Sequence, residues 1–148
     1  MESDDDALDP HAILALLGVT GIASVEQAHG GTDTVIWRVE AAGRLYALRV
    51  FQQGSEADCE REREVMQAAR DAGLPVPEVH AHENWRGRPA LLLSWLPGQP
   101  LAAELRRHPW RAWRLGVRFG EMQARLNAVT APVILTERPS RWIDWLGS

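Results

Sequence analysis

The apolar positions of this chain change period several times, and each change marks an element. Ile13, Leu14, Leu16 and Leu17 follow Asp9-Pro10, a capping residue and a proline suited to a first helical turn, and Gly18 supplies a stop. They predict a short helix over about residues 10–17. Ile22 to Ala28 reads as a strand. Val35–Ala41 and Leu45–Phe51 alternate across two faces and are joined at Ala42-Gly43-Arg44, with Gly30-Gly31 making the turn into the first. Glu56 to Ala72 has helical spacing and ends at Gly73, with Pro75 and Pro77 just beyond. Val76–His82 and Pro89–Trp95 read as two more strands, hinged around Asn84-Trp85-Arg86-Gly87-Arg88. Pro97-Gly98-Gln99-Pro100 breaks regular structure and marks the best domain boundary. A short helix near Leu101–Arg107 and a long one from about Trp110 to Val129 follow. This order predicts an α+β fold: an antiparallel sheet with one helix, then a mostly helical segment.

Within Leu45–Phe51, alternation puts Leu45, Ala47, Arg49 and Phe51 on one face and Tyr46, Leu48 and Val50 on the other. Ala47 and Arg49 therefore point the same way. A small residue beside a cation suits a purine nucleotide, because alanine leaves room for the flat base and the cation reaches the phosphates. On the helix from Glu56, the spacing of Glu62, Val65, Met66 and Ala69 sets Glu62 at the border of the apolar stripe. A carboxylate there is placed to pair with Arg49, whose forked guanidinium suits it. Glu60 and Glu64 read as solvated. In the long helix, Leu115, Phe119, Met122, Leu126 and Val129 form one apolar face, and Trp113, Val117, Gly120 and Ala124 a second. Two such faces predict a helix inside a helical layer. Arg107, Arg111, Arg114 and Arg118 read as a solvated helix face.

Composition narrows the classes. The chain has 148 residues, a formal net charge of -4 and a pI near 5.7, which argues against nucleic acid as a partner. No apolar run approaches the ~18 residues of a membrane span. The N-terminus, Met1-Glu2-Ser3-Asp4-Asp5-Asp6, is acidic, unlike a signal or transit peptide, so cytoplasmic residence is expected. Cys59 is the single cysteine, which excludes an intramolecular disulfide and a cysteine-clustered zinc site, and it reads as an unreactive thiol. All sixteen basic residues are arginine. Without lysine there is no Walker A loop and no Schiff-base chemistry.

Taken together, Gly30-Gly31-Thr32-Asp33-Thr34, Tyr46-Ala47-Leu48-Arg49-Val50, Gly73-Leu74-Pro75-Val76-Pro77 and Leu91-Leu92-Leu93-Ser94-Trp95-Leu96-Pro97-Gly98 resemble the aminoglycoside phosphotransferase/choline kinase-like family, whose members share the protein-kinase fold. Gly120-Glu121-Met122-Gln123-Ala124-Arg125-Leu126 is similar to the first helix of that family's second lobe. The resemblance implies a kinase-like N-lobe over residues 1–96, then a hinge and an incomplete helical C-lobe over 97–148. It implies ATP as the bound nucleotide, with a small-molecule hydroxyl as acceptor and magnesium in a complete member. Gly30, Gly31 and Thr32 would cover the phosphates. Arg49 stands where the family usually has lysine, with Glu62 as its ion-pair partner and Ala47 beside it. Leu93 would back the adenine pocket. The Ser94 carbonyl and Leu96 amide would hydrogen-bond adenine, leaving side-chain identity there free to drift.

The family's catalytic loop reads His-Gly-Asp, followed by a metal-binding Asn and a later metal-binding Asp. None of His11, His29, His80, His82 and His108 opens a His-x-Asp sequence, and after the long helix Asp144 is the sole aspartate. No catalytic residue or metal ligand can therefore be named. Phosphoryl transfer depends on metal clamping and nucleophile positioning, so the expectation is a truncated gene product, inactive by itself. Trp110, Trp113, Trp142 and Trp145 would be left with little to pack against. The alternative is a non-catalytic nucleotide-binding or regulatory module. Aminoglycoside, choline-like and homoserine-like acceptors stay equally open.

Overall fold

Two tight turns set the geometry of the sheet. Ala42 and Gly43 have φ of 49° and 72°, and Arg86 and Gly87 have φ of 52° and 78°. Positive φ at both central residues defines a turn whose twist matches that of the strands it joins, and glycine in the second place removes the steric cost. In the computed structural model, which describes residues 8–28, 34–98 and 101–132, the first turn joins β2 (Thr34–Ala41) to β3 (Arg44–Phe51). The second joins β4 (Val79–Trp85) to β5 (Arg88–Ser94). With β1 (Ile22–Ala28), they form an antiparallel sheet in the order β1-β2-β3-β5-β4.

The β2–β3 register runs without a break from Thr34 opposite Phe51 to Ala41 opposite Arg44. Trp37, Val39, Leu48, Val50, Ala90 and Leu92 then share one face, and helix α1 (Pro10–Leu16) covers it with Ile13, Leu14 and Leu17. The Asp9 carboxylate starts α1 by accepting from the His11 and Ala12 amides at 3.0 and 3.2 Å. Ile13 and Leu14 are fully buried, each contributing about 1.5–3 kcal/mol of apolar transfer. The opposite face carries Ala47, Phe51, Leu91 and Leu93, packed with Cys59 and Met66 of α2 (Glu56–Asp71) and with Val79. The sheet is thus a two-sided core with a different helix on each side.

The expected α+β architecture is borne out, with three adjustments. β4 begins at Val79 rather than Val76, because Pro77 has no amide to give to a ladder. The turn to β5 is confined to Arg86-Gly87 rather than spread over five residues. After α3 (Leu101–Arg107), a single 3-10 turn at Pro109–Arg111 precedes α4 (Ala112–Asn127), so the long helix starts two residues late. Among the described residues nothing covers the two apolar faces of α4: Trp113 is 83% exposed and Phe119 60%. The Arg125 guanidinium of α4 donates to the Gly73 carbonyl, just past α2, at 3.1 Å. No helix among the described residues is long and apolar enough to cross a membrane.

The α1 cover is predicted to be indispensable. Leu14→Ala should cost about 2–5 kcal/mol in urea unfolding, whereas Leu16→Ala, at an exposed position of the same helix, should cost far less.

Candidate functional site

Strand alternation and helical period bring one cation and one carboxylate together. Arg49 stands on the α2 side of β3, with Ile36 of β2 and Leu91 of β5 directly opposite it. On α2, Glu62 is three residues after Cys59, four before Met66 and seven before Ala69, and the sheet-facing stripe contains all three of those residues. Glu62 Oε1 accepts a short hydrogen bond from Arg49 Nη1. The Arg49 guanidinium also stacks over Phe51, 5.0 Å from the ring centroid. Its Nε is buried and has no partner among the described residues. That buried N–H is left without an acceptor, and an anionic oxygen is the acceptor that suits a guanidinium.

Burial raises the Glu62 carboxyl above its ordinary value, and the Arg49 charge and hydrogen bond pull it partly back. The neighbouring Cys59 thiol is pushed up to about 11, first by burial and then by the charges of Glu62 and Glu60. Such a thiol is not a nucleophile at neutral pH. Glu60 is engaged by Arg63, which holds its carboxyl below the usual range, and lies at the surface as expected.

Of the residues singled out in the sequence, Ala47, Arg49, Glu62 and Leu93 meet on one sheet face. Leu93 is buried and lies directly across from Ala47. Ser94 ends β5, and Leu96 is exposed beyond it. The Trp95 amide donates to the Leu45 carbonyl at 3.2 Å, which extends the β3–β5 ladder past Ser94. Gly30, Gly31 and Thr32 lie outside the described residues. The Ser94 hydroxyl accepts from the Glu78 amide at 2.8 Å.

Two residues of this face went unnoticed in the sequence. Ile36 faces Arg49, and Arg38 faces Ala47. Arg38 reaches Glu26 at 3.4 Å and lies 6.0 Å from the Trp95 ring centroid. Counting outward symmetrically from Ala42-Gly43 would have found both. An open cavity between α2 and β4, lined among others by Arg63, Gln67, His80 and His82, includes none of the predicted site residues.

Two measurements test this geometry. With its value raised on folding, the Glu62 contribution to stability is fully present below the ordinary value of 4.5 and lost as pH rises through the folded value. The stability of the wild type relative to Glu62→Gln is therefore expected to grow from neutral pH to about pH 4; the opposite slope would mean that Arg49 outweighs burial. Separately, Cys59 should resist iodoacetamide at about pH 8 in the folded protein and react fully in denaturant.

The model of the phosphotransferase enzyme family matches residues 24–146, well over half of the chain. No curated protein matches significantly. A crystal structure of a thermostable mutant of aminoglycoside phosphotransferase APH(4)-Ia, in ternary complex with AMP-PNP and hygromycin B, is similar at 20% identity and a TM-score of 0.47. The match covers 60% of this chain and 29% of that one. A crystal structure of a candidate aminoglycoside phosphotransferase from Ralstonia eutropha JMP134 is similar at 27% identity and a TM-score of 0.48, covering 63% of this chain and 29% of that one. The chain thus spans less than a third of the length of these proteins. On the family match, it belongs to the phosphotransferase enzyme family.

Proposed function

We propose that this chain supplies the nucleotide-holding part of an ATP-dependent phosphotransferase, which moves the γ-phosphate of ATP to a small-molecule hydroxyl. The observation that carries the reading is the Arg49–Glu62 pair, with the Arg49 Nε left buried and without an acceptor. A guanidinium fixed by a carboxylate and still holding an unused donor is suited to a phosphate oxygen, and arginine presents its donors in a rigid fork.

In this reading the base lies against Ala47, the smallest side chain of the row, with Leu93 across from it and Ile36 beside the cation. The Ser94 carbonyl and the Leu96 amide pair with the base edge, and Gly30, Gly31 and Thr32 cover the phosphates. Residues 1–96 act as the nucleotide lobe, and 97–148 as the hinge and the first part of a helical lobe. Magnesium and the acceptor would be held by groups outside the pattern found here, since the sequence carries no His-x-Asp motif. Cytoplasmic residence accompanies the use of ATP.

A thermal-shift titration tests the reading. The unfolding midpoint should rise with ATP concentration as a ligand bound only by the folded state requires. Arg49→Ala should weaken ATP by about tenfold or more, the scale of a lost charge-assisted hydrogen bond, and adenosine much less. An unchanged wild-type midpoint at millimolar ATP would contradict nucleotide binding.

A further inference from the structure

One row of paired residues crosses the sheet through Ala47: Glu26 of β1, Arg38 of β2, Ala47 of β3 and Leu93 of β5. Directly opposed residues of an antiparallel pair point to the same face. Arg38 therefore stands on the α2 side, next to the smallest side chain of the row. Its side chain is only 35% exposed, so the stem lies along the sheet rather than out in water. The guanidinium is 6.0 Å from the centroid of the Trp95 ring. Trp95, two residues after Leu93, extends β5 on the same face, its amide donating to the Leu45 carbonyl. Strands β2 and β5 flank β3 on either side, about 10 Å apart at ordinary strand spacing. The two side chains thus lean toward each other over the part of β3 that carries Leu45 and Ala47.

The ion pair with Glu26 does not account for this placement. It rests on one Nη1 contact at 3.4 Å to a side chain that is 67% exposed, and such surface pairs add little. Glu26 also lies on the far side of Arg38 from β3. What draws the guanidinium over β3 is an aromatic face, the surface a planar cation prefers.

We propose that Arg38 is a further binding residue of the nucleotide site, its guanidinium stacking on the purine ring that rests against Ala47. The inference rests on the nucleotide reading above and gives the base half of the ligand a cation of its own, as Arg49 serves the phosphate half. The attraction comes from the flat π face of the ring, so it needs no particular substituent on the base. A lysine there would keep the charge and lose the plane that matches the ring.

The test titrates the full chain with ATP and with inorganic triphosphate, which lacks the base, and follows the unfolding midpoint. Arg38→Ala should weaken ATP by about three- to tenfold, the scale of one cation–π contact, and leave triphosphate unchanged. Arg38→Lys should bind ATP nearly as weakly as Arg38→Ala. Full recovery of ATP binding in Arg38→Lys would mean that charge alone acts, and the inference falls. It falls as well if Arg38→Ala weakens both ligands alike, which marks a structural or phosphate-directed role, or if it weakens neither. In each of these cases the nucleotide reading survives. Failure of the wild type to bind ATP overturns the reading and the inference together.

Discussion

A charged group on the packed face of a sheet must find a partner, and here Arg49 finds Glu62. The pair joins β3 to α2 by a charged contact beside the apolar ones. Strand alternation fixes where the guanidinium points, and helical period fixes where the carboxylate points. Desolvation works against the ionised carboxyl, as its raised pKa indicates. A hydrophobic pair would serve packing at least as well, so the charges are better explained by what they direct: a guanidinium with a buried donor still unused.

That direction depends on the other side of the sheet. Ile13 and Leu14 of α1, with Leu17 just past its end, cover the face formed by Trp37, Val39, Leu48, Val50 and Leu92. The sheet is therefore anchored from behind, and the α2 side does not carry its stability alone. Helix α2 covers Phe51, Leu91 and Leu93, whereas Ile36 and Arg38, on the β2 part of the same face, keep partial exposure. A flat ligand bound there would lie on a surface with fixed strand positions and an adjustable border. The Arg125 bond to Gly73 at the end of α2 gives α4 one direct hold on the helix that carries Glu62.

Much of this was legible in the sequence because its signals are short-ranged. The Ala42-Gly43 turn fixes the β2–β3 register, the period of two fixes the face of Arg49, and the spacing of Glu62 to Met66 and Ala69 fixes the carboxylate. What escaped depends on contacts between distant segments. Nothing local says that Ile13 and Leu14 cross to the far face of the sheet. Nor does a run of alternating residues reveal that Pro77 delays β4 and that the Glu78 amide takes the Ser94 hydroxyl. Ile36 and Arg38 were within reach of the turn symmetry but carry no motif. The glycine pair at Gly30-Gly31 falls outside the described residues, and its expected role stands on the sequence alone. The two apolar faces of α4 are visible in the sequence as a pattern, and both are exposed among the described residues.

The central claim is that Arg49, held by Glu62, offers its unpaired Nε donor to a phosphate. The side-chain Nε–H resonance of Arg49, followed by NMR while ATP and then adenosine are added to saturation, reports on that donor directly. The account expects a large shift with ATP and little change with adenosine, since only ATP brings an anionic acceptor to it. A resonance that stays in place while other signals register bound ATP would mean that the guanidinium serves packing alone.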